Sequence, residues 1–252
     1  MSEVAVKAMP RRGRIWVILI LALGLGALSY AIVSISTKEA SHDIVHVAGI
    51  TEAQEIFGGV PQEGDRLGSS DAPVTIQIFN DLQCSSCRED FLSTIPGLTT
   101  KYAREDKAKL LYRHYSVSES PVEEGFYGAE AAAAQGYGWQ YTYLFFRNQG
   151  EAERFGLDKE SAHRFGLNQD FLESIAGGIE ELNFPEWKEY LEENGGADGP
   201  ITKQLESYEE LGTNLGIRTR QAAIVTGPTG TTQTLQDGPS LGRIERAIEE
   251  VQ

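Results

Sequence analysis

Both cysteines of the 252-residue chain lie in one short stretch, Cys84-Ser85-Ser86-Cys87. Cysteines at i and i+3 on the first turn of a helix face the same side, near enough for a small movement to bring the sulfurs to bonding distance. A disulfide placed there opens and closes without unfolding the chain. At a helix N-terminus Cys84 meets unpaired backbone N–H groups and the positive end of the dipole, which favour thiolate over thiol. Cys84 is therefore expected to attack or be attacked, and Cys87, a turn deeper, to resolve the mixed disulfide formed during exchange. An inert staple is a weaker reading, because so short a loop removes little entropy from the unfolded chain. A zinc half-site would need His42 and His46, which have i, i+4 spacing but lie far from the cysteines in a segment of little periodicity. No resident metal and no cofactor are expected.

The elements around the motif fit that chemistry. Val74 to Phe79 is a β-branched run of strand length after the turn at Asp71-Ala72-Pro73, and Arg88 to Ile95 has helical composition, stopped or kinked at Pro96-Gly97. Lys109 to Val117 reads as the next strand, so strand, helix and strand imply a right-handed parallel crossover. From Ser118 to about residue 215 the pattern is helical. Pro121 sits near a start, Ala129 to Ala134 offers a close-packing face, and Trp139 to Phe146 continues apolar. Further helices are expected at Asp170 to Ala176, Pro185 to Glu192 and Pro200 to Leu215. Ala222 to Thr226 and Thr231 to Leu235 flank a Gly-Pro-Thr-Gly turn as a β-hairpin. Ser240 then caps a helix whose Leu241, Ile244, Ile248 and Val251 share one stripe. The order is β-α-β, helical insert, β-β-α, an α/β fold without internal repeats.

Charge separates the chain into two compartments. Its formal net charge is −15, which repels phosphate and excludes nucleic acid as a partner. Yet Lys7, Arg11, Arg12 and Arg14 face only Glu3 within residues 1–14. The uncharged run from Ile15 to Ile35 follows, long enough as a helix to cross a bilayer core of about 30 Å. Trp16 and Tyr30 lie near its ends, where amphipathic rings favour the interface. It reads as a single transmembrane anchor with a cytoplasmic basic tail (1–14), a membrane span (15–35), a linker (36–57) partly helical around Thr51 to Ile56, and an exported domain from Gly58 to Gln252. Ala27-Leu28-Ser29 offers the alternative of a cleaved leader. Either way the domain stands where disulfides persist, so the cytoplasmic membrane is one partner and exported protein thiols or disulfides are others.

Leu67-Gly68-Ser69-Ser70-Asp71-Ala72-Pro73-Val74-Thr75-Ile76 and Phe79-Asn80-Asp81-Leu82-Gln83-Cys84-Ser85-Ser86-Cys87 resemble the start of DsbA-like thioredoxin-fold proteins, whose pattern is G-x-x-D-A-P-V-T-I-x-x-F-x-D-F-x-C-x-x-C. The resemblance continues more weakly through the Ala-rich helix, Trp139 to Phe146, the Phe171 and Trp187 helices and the terminal hairpin. It implies a thioredoxin-like fold with a helical insertion, an extracytoplasmic thiol-disulfide oxidoreductase activity with Cys84 as nucleophile and Cys87 as resolving cysteine, and a separate redox partner. Two departures stand out. Ser85-Ser86 lacks the histidine found between the cysteines of strong oxidants. The family's Thr-Pro pair with a cis bond falls on Arg220-Gln221, and no proline occurs between Ile201 and Gly227. Arg220, Gln221 and Ala222 are the expected substrate-binding segment, with a trans peptide, a more open approach to the two sulfurs, and the Arg220 cation in reach of Cys84.

The remaining candidates read as structural. His114 in a strand is expected to be packed or at the surface, and His163 has no context. The Glu pairs beginning at 180, 192, 209 and 249 read as solvated helix faces, and Trp139, Tyr141, Tyr143, Phe145 and Phe146 as the core of the insert. Two alternatives to an exchange enzyme remain: a thioredoxin-fold binding or scaffold module with little turnover, to which Gln221 points, and a metal-carrying thiol protein.

Overall fold

The computed structural model describes residues 47–82, 84–116, 124–149 and 169–252. The span 15–35, His42, His46, Pro121 and His163 lie outside the described residues. Among the described residues no helix is long and apolar enough to cross a membrane.

Six strands form one sheet: β1 (Gln62–Glu63), β2 (Arg66–Leu67), β3 (Val74–Asn80), β4 (Ala108–His114), β5 (Gln221–Thr226) and β6 (Thr232–Gln236), in the order β1-β2-β4-β3-β5-β6. Parallel pairing of β3 with β4 sets Ile78 beside Tyr112 and Asn80 beside His114. Antiparallel pairing with β5 sets Ile78 opposite Ala223 and Asn80 opposite Gln221. The register is firm because both faces of β3 are covered, and a one-residue slip would exchange them. Ile76, Ile78, Leu110, Tyr112, Ala223 and Val225 belong to the main core, which also holds Phe91, Ile95, Ile244 and Ile248. Phe79, Ala222 and Ile224 form a smaller cluster with Tyr115, Ile217 and Leu211. The β1–β2 hairpin on the far edge had no signal in the sequence, since two-residue strands carry no periodicity.

The helices are α1 (Ile50–Phe57), α2 (Ser85–Leu98), α3 (Glu124–Ala133), α4 (Gly138–Asn148), α5 (Gln169–Gly177), α6 (Phe184–Asn194), α7 (Pro200–Asn214) and α8 (Leu241–Val251). Ala53 and Phe57 of α1 are in the core, so packing begins before Gly58, where the sequence places the domain's start. Of the stop or kink expected at Pro96-Gly97, the stop is absent. Instead α2 includes Pro96 and runs on into a π-helical segment, Thr99–Ala103. There the Thr99 and Thr100 hydroxyls donate to the carbonyls of Ile95 and Pro96, each at 2.8 Å. Ser240 does occupy the N-cap of α8, but its side chain makes no capping bond; Ile244, Ala247, Ile248 and Val251 are the buried face. Trp139, Tyr141, Tyr143, Phe145 and Phe146 are all buried, as expected of insert core, and Trp139 also packs on Phe91 and Tyr112.

Candidate active site

The motif sits where β3 ends and α2 begins. Cys84 is the N-cap of α2, in extended conformation, and its Sγ accepts the backbone N–H of Cys87 at 3.2 Å, as a serine oxygen does in an ordinary cap. The Ser86 Oγ lies 3.2 Å from the same sulfur. Two donors therefore converge on Cys84 through short-range geometry, supplying part of what the absent histidine would give. The two cysteines are disulfide-bonded with Cα atoms 5.1 Å apart. Cys84 is 8% exposed and Cys87 0%, so the residue expected to react is the less buried of the two. The more open approach to both sulfurs does not occur, because helix and strand packing closes over Cys87.

The entry loop is clamped from two sides. The Cys84 N–H donates to the Asp81 carbonyl at 3.1 Å. The Gln149 side chain, at the end of α4, donates to the Leu82 carbonyl at 2.6 Å, while the Arg88 guanidinium donates to the Gln149 carbonyl at 2.6 Å. Neither Gln149 nor Arg88 was singled out by the sequence; nothing local marks a residue some sixty positions away as a clamp.

Of Arg220, Gln221 and Ala222, which lead into and open β5, Arg220 reaches the motif. The Arg220 carbonyl lies 3.6 Å from the Cys87 Sγ, placed to accept its S–H once the disulfide opens. Among the described residues no peptide bond is cis, so Arg220-Gln221 is trans. Ala222 is buried against the smaller core cluster rather than offered to a ligand. The Arg220 side chain goes to Asp81, Nε to Oδ2 at 3.7 Å, with the carboxylate 3% and the arginine 44% exposed. The cation is thus held beside the loop by a buried carboxylate. Asp81 is present in the sequence pattern, but its role became visible only with its neighbours.

His114 is buried at the end of β4, stacked on Phe126 with centroids 5.1 Å apart. Burial lowers its pKa to about 4 against the opposing pull of Asp81, so the ring is neutral. Burial also raises Tyr112 well above its ordinary value, reinforced by Asp81. Among the described residues no three His, Cys, Asp or Glu side chains gather as a metal site.

A central parallel pair, an antiparallel hairpin on its other side, and a CxxC at the N-terminus of the intervening helix define a thioredoxin fold. The thioredoxin family profile matches residues 62–192, over half of the chain, and the chain belongs to that family. No curated protein sequence matches it. Among solved structures it is similar to DsbA from Chlamydia trachomatis (19% identity, 74% of this chain and 90% of that one, TM-score 0.53). It is also similar to Pseudomonas aeruginosa DsbA2 (16%, 77% and 97%, 0.52) and to Wolbachia pipientis alpha-DsbA1 (14%, 74% and 89%, 0.53). At these identities the likeness is one of fold.

Proposed function

We propose that the protein is a thiol-disulfide oxidoreductase that exchanges disulfides with exported proteins through Cys84 and Cys87. The observation that carries this reading is the asymmetry of the pair: Cys84, the less buried of the two, at the helix cap with two donors on its sulfur, and Cys87 fully buried against the Arg220 carbonyl. A staple needs no such division, whereas exchange needs one sulfur for the substrate and a second to release it. Substrate thiolate attacks Cys84, Cys87 leaves and is received by the interior, and a second substrate thiol completes the transfer; the reverse sequence reduces a substrate disulfide. Arg220 and Gln221 supply the strand end along which a substrate peptide lies. The direction of electron flow follows from the redox partner, a second protein in the membrane or outside it.

In this reading residues 15–35 anchor the chain in the cytoplasmic membrane with residues 1–14 inside, and protease added to spheroplasts removes the domain. The test of activity is turnover of a reduced, unfolded protein by the full chain, with Cys87→Ser trapping mixed disulfides. Equal trapping by Cys84→Ser would show the assigned roles to be wrong, and no turnover in either direction would leave the chain a binding module.

A further inference from the structure

Three consecutive residues at the end of α4 grip two segments that the sequence keeps far apart. Asn148 is buried and forms a reciprocal pair with the backbone of Ala48: its Oδ1 accepts the Ala48 N–H at 2.8 Å, and its Nδ2 donates to the Ala48 carbonyl at 3.0 Å. The same Nδ2 donates to the Leu144 carbonyl at 2.8 Å, so the side chain is bound to its own helix as well. Arg147 pairs with Glu52 of α1, Nε to Oε2 at 3.6 Å. Gly49 has φ +89°, and a Cβ on it would meet the Arg147 Cγ at 2.9 Å. Val47 belongs to the main core. Residues 47–49, through which the preceding chain joins the domain, are thus seated on the last turn of α4.

The next residue, Gln149, is the C-cap of α4 and holds the other segment. Its Nε2 donates to the Leu82 carbonyl at 2.6 Å, and Arg88 of α2 donates to its carbonyl at 2.6 Å. Leu82 lies inside the turn in which the Cys84 N–H donates to the Asp81 carbonyl. That turn sets where the Cys84 sulfur stands against the Cys87 N–H, 3.2 Å away. Gln149 is buried, and its Oε1 has no hydrogen-bond partner among the described residues. An amide kept for stability alone would have both ends satisfied, because a dry acceptor is costly. The fold uses this amide by its donor end, and that end holds the active-site loop.

We infer that Gln149 is a positioning residue for Cys84 in the exchange chemistry proposed above, on which this inference rests, and that Asn148 makes residues 47–49 part of the same support. Gln149 fixes the Leu82 carbonyl, the turn fixes Cys84 at the N-cap of α2, and the cap donor then favours thiolate over thiol. Asn148 ties the end of α4 to the backbone of Ala48. A displacement of residues 47–49 therefore passes to Asn148 through two hydrogen bonds, to Gln149 through one peptide unit, and to the active-site loop through one more hydrogen bond. Both side chains act through the backbone that carries Cys84. Disturbing the entry segment thereby lowers the thiolate fraction at Cys84.

The test uses the full chain with Cys87→Ser, which leaves Cys84 as the single thiol and keeps the backbone donor of that position. Alkylation of Cys84 by iodoacetamide, followed from acidic to alkaline pH, gives the thiol pKa as its midpoint and access to the sulfur as its plateau. Gln149→Met keeps the volume and removes the donor, so the midpoint should rise by about 0.5, read as a reaction about threefold slower below it, with the plateau unchanged. Asn148→Ala should move the midpoint the same way. So should Gly49→Ala, which leaves α4 intact and disturbs the entry segment through its left-handed φ and the Arg147 contact. In a Gln149→Met background neither should move it further, because the link to the loop is already cut. An unmoved midpoint in Gln149→Met, or a change in the plateau alone, would overturn the positioning role, and additive shifts in the double variants would overturn the link to residues 47–49. If Gln149→Met does not fold, the Gly49→Ala midpoint judges the inference, and no shift overturns it. The titration needs no redox partner, so a chain that shows these shifts yet turns over no protein disulfide keeps the support and loses the exchange reading.

Discussion

In the exchange proposed above, the reactivity of Cys84 rests on atoms within three residues of it. The Cys87 N–H and the Ser86 hydroxyl both lie 3.2 Å from its sulfur, and each stabilises a thiolate more than a thiol. Ser86 is exposed, which limits its worth to roughly 1 kcal/mol, or a change of about 0.7 in pKa. Ser86→Ala should therefore raise the Cys84 pKa by about that amount and slow its alkylation at mildly acidic pH; an unaltered alkylation profile would show that the backbone donor acts alone. The backbone donor was legible in the sequence, because i to i+3 geometry at a helix start is local, whereas the Ser86 hydroxyl was not. Asp81 was not, since its value lies in holding Arg220 from a distant loop.

At the level of elements, the helical insert is fastened by close approaches as well as by aromatic burial. Gly128 on α3 faces the Tyr141 ring and hydroxyl so closely that a Cβ would collide with them. Its carbonyl also accepts the Trp187 indole N–H at 2.9 Å, and Trp187 stacks on Tyr141. Alanine is a better helix former than glycine by about 1 kcal/mol, but overpacking costs about 1–3 kcal/mol. Gly128→Ala should thus be destabilising by up to about 2 kcal/mol in urea unfolding, and a stabilised variant would show that Tyr141 moves freely. Composition suggested close packing along the Ala-rich helix, yet which glycine meets which ring depends on how the helices cross. The same reasoning explains α2: Pro96 and Gly97 signal a stop, but a side-chain hydroxyl at each of Thr99 and Thr100 supports the chain through it, and Gly97 leaves room for Leu241 of α8.

Across the whole molecule, stability should depend on two desolvated groups with opposite slopes, a half-buried carboxyl and a buried imidazole. Arg113 on β4 pairs with Asp65 beside the β1–β2 hairpin, the Tyr208 hydroxyl of α7 donates to Asp65 at 2.9 Å, and Arg113 lies over the Tyr208 ring. Glu130 of α3 stands against this network, and burial raises its pKa to about 7 despite Arg113. The folded state therefore binds a proton the unfolded state has lost: the contribution is full below about 4.5 and disappears as pH rises through 7. His114 behaves oppositely. With its pKa lowered from 6.5 to about 4, its contribution is full above 6.5 and lost as pH falls through 4. Glu130→Gln should raise stability at pH 8 by on the order of 2 kcal/mol, with the gain shrinking toward pH 5. Melting temperatures of the two proteins that differ by a constant across that range would refute the assignment.

The sequence by itself determined what is local or periodic: the CxxC at a helix start, the strand before it, the terminal hairpin, the helical character of the insert and the stripe of α8. It also placed Arg220 and Gln221 beside the cysteines, through the resemblance of the chain's order of elements. Only the tertiary structure decided that Cys87 is sealed from solvent, that Arg220 turns to Asp81, that Gln149 and Arg88 clamp the entry loop, and that Asn80, Asp90 and Gln221 line one cleft. Each of those depends on pairing between segments from about sixty to well over a hundred residues apart, set by strand register and helix crossing. No propensity, spacing or charge pattern within one segment carries that information.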